Sequence, residues 1–127
     1  MSMISIMICT FFSISTISAI PATGVVLSAV IRNTQNTPVQ CTINWTTYNG
    51  PTSNQDIIMV ESNKYKLVFE KSIYIGTSIA DVFIQEIHCG DLVLTTPFAR
   101  VLAIERLWEF RVESDRIVSV GRSSYVP

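Results

Sequence analysis

Three features of the chain predict an all-β fold, arranged as a small antiparallel β-sandwich. Short runs rich in β-branched and aromatic residues recur along it, separated by clusters of turn-forming side chains. Two of these runs, VQCTINWTT from Val39 and WEFRV from Trp108, alternate apolar and polar residues with the period of two that marks a half-buried strand. No stretch sustains a 3.6-residue period long enough to define a helix. At 127 residues the chain has the size of one domain, since domains commonly hold about 100 to 150 residues.

The first run, VVLSAVIR, reads as one strand that ends at the turn cluster NTQNTP. In the next, Val39, Cys41, Ile43 and Trp45 share one face, while Gln40, Thr42, Asn44 and Thr46 share the other. YNGPTSNQD is expected to be a loop, because Asn49-Gly50-Pro51 is strong turn chemistry and buried polar residues would strand backbone groups. DIIMV resumes as a short strand. After the ESN turn, KYKLVFEK is expected to point Tyr65, Leu67 and Phe69 inward.

SIYIG is a brief continuation, and SIADVFIQEIHCG is apolar on both alternating sets, as in a central strand. A helix is the alternative there, because Ile79, Phe83 and Ile87 also recur at i+4; the β-branched content and the Cys-Gly-Asp end favour strand. Gly90-Asp91 turns the chain into LVLTTPF. Residues 99 to 107 are ambiguous between strand and one helical turn. Trp108, Phe110 and Val112 then alternate with Glu109, Arg111 and Glu113, and ESDR turns into IVSV as a hairpin. RSSYVP reads as a loose tail.

The first twenty residues contain no Asp, Glu, Lys or Arg, and small residues follow at Ser18, Ala19 and Ala22. This pattern predicts a signal peptide over 1–19, cleaved after Ala19, and a single domain over 20–127. An uncleaved anchor through residues 1–20 is the alternative, and an extra core element of a cytosolic protein is a third. Removal of 1–19 discards Cys9 and leaves Cys41 and Cys89, which are expected to pair in an oxidising compartment. Asn44-Trp45-Thr46 is an N-glycosylation sequon, and the strand alternation turns Asn44 outward.

The net charge is −1 and charged residues make up 15%, which leaves no basic surplus for nucleic acid. His88 is the one histidine, and a strand turns it to the opposite face from Cys89, so a Cys-His nucleophile pair is not expected. Cysteines far apart in sequence do not form a metal site, and single scattered glycines do not cradle phosphate. No cofactor is implied. Glu109 and Glu113 flank Arg111 on one strand face and read as an ion-pair ladder, with Glu105, Arg106, Asp115 and Arg116 on the same mixed-charge surface. Asp81 and Glu86 stand in an otherwise apolar run; a hydrolase would need them in one pocket with unlike pKa values.

Trp45 and Trp108 fall on the apolar set of their strands and are expected in the core. Exposed binding aromatics are expected at Tyr48 and Tyr74, Tyr48 because it borders the NGPTSNQ loop at a sandwich end. The general architecture is immunoglobulin- or fibronectin-like with its topology open, and a small β-barrel is the alternative. The cysteines depart from the immunoglobulin pattern, because Trp45 follows Cys41 by four residues on the same face. The functional expectation is a secreted or cell-surface module that binds or builds without catalysis, with an extracellular protein or glycan as partner and self-association possible through sheet edges. A β-barrel carrier of a small apolar ligand is the second reading.

Overall fold

The computed structural model describes residues 24–124; the expected signal segment 1–19, the stretch 20–23 and the last three residues lie outside them. The described chain is all-β, with strands β1 (Val25–Val26), β2 (Ala29–Asn33), β3 (Val39–Thr47), β4 (Gly50–Val60), β5 (Tyr65–Val68) and β6 (Ser72–Ile75). They are followed by β7 (Ser78–Asp81), β8 (Phe83–Cys89), β9 (Leu92–Thr95), β10 (Ile104–Glu105), β11 (Trp108–Val112) and β12 (Ile117–Arg122). One four-stranded sheet runs β4-β3-β8-β9 and another runs β12-β11-β2-β5, with β1-β10 and β6-β7 as two-stranded accessories. The inner faces of the two large sheets enclose Trp45, Phe110, Ile31, Ile43, Ile84 and Ile87, all fully buried. This is a sandwich; the sheets do not close into the alternative barrel.

The alternation read from β3 holds through Trp45, with Cys41, Ile43 and Trp45 buried while Gln40, Thr42 and Asn44 are not; Thr46, expected outward, is buried instead, beyond the register shifts near Trp45. Its neighbour β8 carries the second cysteine directly opposite the first, at a Cα–Cα distance of 4.1 Å. The Cys41–Cys89 disulfide is therefore a rung between adjacent strands of one sheet and not a tie between sheets. By loop-closure entropy it is worth about 4 kcal/mol at most. The Gly90-Asp91 turn closes the β8–β9 hairpin, with Gly90 at φ 61°, where a side chain would be strained.

Several elements differ from expectation. VVLSAVIR breaks at Leu27-Ser28, because its first part pairs in parallel with β10 and its second with β11, also in parallel, and with β5. The two parallel pairings join segments far apart in sequence, which no local turn signal announces. Gly24 lies so close to the Ala103 backbone that a Cβ there would overlap it. The expected loop YNGPTSNQD is mostly strand: Tyr48 and Asn49 alone form the turn, and Gly50 to Asp56 belong to β4. An edge strand tolerates Pro51. Thr52 then donates its hydroxyl to the Trp45 carbonyl at 2.8 Å, beside the bulge in that pairing.

β5 has the opposite phase to that expected. Its register sets Val68 against Ala29 in the core, so Tyr65 and Phe69 are exposed; Tyr65 instead lies beneath the Arg32 guanidinium, 5.2 Å away. The run SIADVFIQEIHCG is strand and not helix, but it is cut at Val82 into β7, which pairs only with β6, and central β8. Within β8 a bulge lets Ile84 and Ile87 both face inward. Residues 99–107 hold turns and the short β10. The supposed tail is ordered through Ser123, whose amide donates to Leu107 O at 2.9 Å.

The expected C-terminal hairpin is present, with Trp108, Phe110 and Val112 buried. Trp108 Nε1 donates to Ser119 Oγ at 2.9 Å, and that hydroxyl donates to Ala99 O at 2.7 Å. Glu113 accepts from Arg111 and Arg116, and Glu109 from Arg32. Glu105 departs from the expected open surface: it is buried and takes a two-pronged contact from Arg122.

The most demanding buried polar group is Asn33. Its Nδ2 donates to Thr37 O at 2.8 Å and Val60 O at 3.0 Å, while its Oδ1 accepts from the Gln35 amide at 2.9 Å. One amide thus holds the β2–β3 turn and the end of β4 together. Asn33→Ala is expected to cost about 1 to 3 kcal/mol, because it leaves the buried Val60 carbonyl, and the part-buried Thr37 carbonyl, without that donor. Urea denaturation should show a lower midpoint at unchanged slope.

Candidate functional site

The hairpin between β3 and β4 puts an aromatic side chain at one end of the sandwich. Thr47 locks the turn, its hydroxyl donating to Gly50 O at 3.1 Å and accepting from the Asn49 amide at 3.2 Å. Tyr48 consequently stands out, 76% exposed, with its ring tilted 54° against Phe83 at a centroid distance of 4.9 Å. Phe83 is held opposite Thr46 at the start of β8.

Two hollows flank this ring pair. One of about 300 Å³ is lined by Gly24, Val25, Thr47, Thr96 and Pro97 with the two rings. The other, of about 240 Å³, is lined by Leu27, Asp81, Ile104 and Arg106 with Val25 and the same rings. Because they share Val25, Tyr48 and Phe83, they form one cleft divided by an aromatic ridge. Its charged wall is preset: Arg106 Nε donates to Glu70 at 2.8 Å, and Ser72 Oγ donates to Asp81 at 3.0 Å. The cleft can thus offer stacking surface, a guanidinium and a carboxylate to a bound molecule.

Of the two aromatics expected to bind, Tyr48 lines this cleft and Tyr74 does not. Tyr74 is exposed on the β6–β7 hairpin opposite Ile79, and the alternation of β7 sets Asp81 on that same hairpin face. Tyr74 therefore adjoins the charged wall without lining the hollow. Sequence reasoning missed Phe83, Asp81 and Arg106 as cleft residues. They come from separate segments, and no local pattern links them to Tyr48.

The remaining candidates lie elsewhere. Trp45 is in the core, with its Nε1 donating to Asp56 at 3.0 Å. Asp81 and Glu86 do not share a pocket: Glu86 lies on the outer face of the β4-β3-β8-β9 sheet. There it faces His88 Nε2 at 2.7 Å and accepts from Thr95 at 3.0 Å and from Asn44 Nδ2 at 3.2 Å. Asn44 is half-buried on the same face, and its Oδ1 is buried with no donor among the described residues. Cys89 is bonded to Cys41 and carries no thiol. Among the described residues no three His, Cys, Asp or Glu side chains gather to hold a metal ion.

The hydrogen bonds from His88 and then Thr95 hold the Glu86 carboxyl below its ordinary value of 4.5, against a smaller opposing effect of burial. Since the folded value is the lower one, Glu86 contributes stability above the ordinary carboxylate range and loses it as pH falls through the folded value. Replacement by Gln should therefore flatten the acid side of the stability profile while changing little of its slope near neutrality. Urea midpoints measured from neutral pH down to strongly acidic pH check this; parallel acid limbs in the two proteins would contradict it. No family model matches the chain, and comparison with curated proteins and with solved structures yields no match either.

Proposed function

We propose that this chain is an extracellular, non-catalytic binding module that engages a protein or glycan partner at the Tyr48–Phe83 cleft. The observation that carries the reading is the exposed Tyr48 ring packed on the half-buried Phe83 ring at the sandwich end, set between two hollows and beside Arg106 and Asp81. Exposed aromatics on rigid hairpins lose little conformational entropy on binding, and a neighbouring guanidinium and carboxylate supply orientation. A core disulfide suits an oxidising compartment, in keeping with the signal reading of 1–19. Among the described residues no helix is long and apolar enough to cross a membrane. The carrier reading rests on a barrel, which the two sheets do not form.

Glycosylation of Asn44 belongs to the same reading, at a cost the geometry makes visible. A glycan on Nδ2 leaves one N–H, which must either keep the bond to Glu86 or give it up. Intact mass of the protein secreted from a eukaryotic host is expected to begin near Ile20, to rise by two hydrogens on reduction and to fall on deglycosylation. A mass that includes Met1 with free thiols would refute the extracellular assignment.

Binding is tested by probing the purified protein against immobilised glycans and extracellular domains. A partner found in this way should bind Tyr48→Ala at least about tenfold more weakly, the effect of losing one aromatic anchor. Tyr74→Ala should weaken binding less. A partner bound equally by the wild type and Tyr48→Ala would move the site away from the cleft.

A further inference from the structure

The long strand β4 lies at the edge of its sheet, and among the described residues its outer side is not paired with another strand. Free edges in stable monomers are commonly kept short, bulged or guarded by Lys or Pro. The other three edges of the large sheets fit that description. β9 has four residues; β5 has four, one of them Lys66 and preceded by Lys64; β12 is bulged in its pairing with β11 and ends in Arg122. β4 has eleven residues and no Lys or Arg; its Pro51 and the bulge over residues 52–54 guard only the end near the Tyr48 turn, and from Gln55 to Val60 its pairing with β3 is regular. From Ser53 to Val60 the edge carries a single charge, Asp56, already occupied by Lys71 and the Trp45 indole at 3.0 Å each.

Apolar surface accompanies this edge. Ile57 is 64% exposed and Met59 44%. Between β4 and β5 runs an open groove of about 350 Å³ whose apolar part is lined by Ile57, Ile58, Leu67, Val68 and Phe69 and whose charged end holds Asp56, Glu70 and Lys71; Phe69 itself is 74% exposed. A strand laid along β4 would cover Ile57 and Met59 on one side and meet this groove on the other.

We infer that β4 is a self-association edge, along which two copies of this chain pair antiparallel and continue one sheet through both molecules. The side-chain pattern of the edge is complementary to itself, which suits a second copy and sets the register. With the two-fold axis at Ile58, each Ile57 stands opposite the other copy's Met59, and each Asp56 opposite the other copy's Val60. Residues opposite one another share a face, so exposed apolar meets exposed apolar and no carboxylate faces its own copy. Centring the pair on Asp56 would oppose two carboxylates and is disfavoured. The contact lies toward the Val60 end of β4, away from Tyr48, so it does not depend on the cleft or on any ligand there.

Sedimentation velocity on the mature protein across the micromolar range should show a concentration-dependent monomer–dimer equilibrium. Ile57→Lys, at an exposed position, is expected to retain the fold by circular dichroism and to raise the dimer dissociation constant by roughly tenfold or more, because two lysines are then held at the joined edge. Val93→Lys, also at an exposed position but on β9, should leave the dimer unchanged. In the unaltered protein, hydrogen exchange at the β4 amides should slow as concentration rises, a readout that needs no variant. A wild type that stays monomeric throughout overturns the inference, even if it captures an extended peptide from another protein. So does a dimer that responds equally to both lysines, or one whose β4 amides are unprotected.

Discussion

The pairing of β3 with β8 holds the rest of the molecule in register. Cys41 and Cys89 form its covalent rung, and Ile43 opposite Ile87 and Trp45 opposite Ile84 form the apolar rungs beyond it. A one-residue slip between these strands would send buried residues to solvent, and the disulfide forbids that slip. With the register set, the outward residues Asn44, Glu86 and His88 are brought together, and Trp45 is turned to reach Asp56. The bulge in β8 matters for the same reason, because it keeps both Ile84 and Ile87 inward although they are an odd number of residues apart.

The second constraint is the break at Leu27-Ser28. A continuous strand there would have left the sandwich end uncovered, whereas β1 crosses to β10 and brings Val25 beneath the Tyr48–Phe83 rings. Ser28 secures the crossing by accepting the Leu107 amide at its hydroxyl and the Trp108 amide at its carbonyl, at 2.8 and 3.1 Å. The cleft is therefore a product of strands that change partners, which is why its lining comes from so many places along the chain. Sandwich ends commonly carry binding residues in this manner, on loops fixed by a rigid scaffold.

The β4 edge and the cleft sit toward opposite ends of the same hairpin arm, an arrangement compatible with simultaneous use. A module that pairs through one end and binds through the other presents two sites to a partner, and the gain from such bivalency comes from effective concentration alone. The sheet face between them carries the Glu86–His88–Asn44 cluster, where a glycan on Asn44 would have to be accommodated.

The sequence by itself determined the all-β class, the inward faces of β3 and β11, the cysteine pair, the Gly90-Asp91 hairpin and the core positions of Trp45 and Trp108. Each of these is readable from period two, from turn chemistry or, for the cysteines, from the two that remain once the expected signal segment with Cys9 is set aside. Tertiary structure alone decided the phase of β5, the strand character of Gly50 to Asp56, the cut at Val82 and the membership of the cleft. β5 faces as it does because its register with β2 outweighs its own alternation. Gly50 to Asp56 can be strand despite Pro51 because β4 is an edge, and edge position is a fact about neighbours. Tyr48 was legible as an exposed turn aromatic, but Phe83, Asp81 and Arg106 were not legible as its companions. Their proximity arises from long-range pairing, and a single sequence carries no local trace of it.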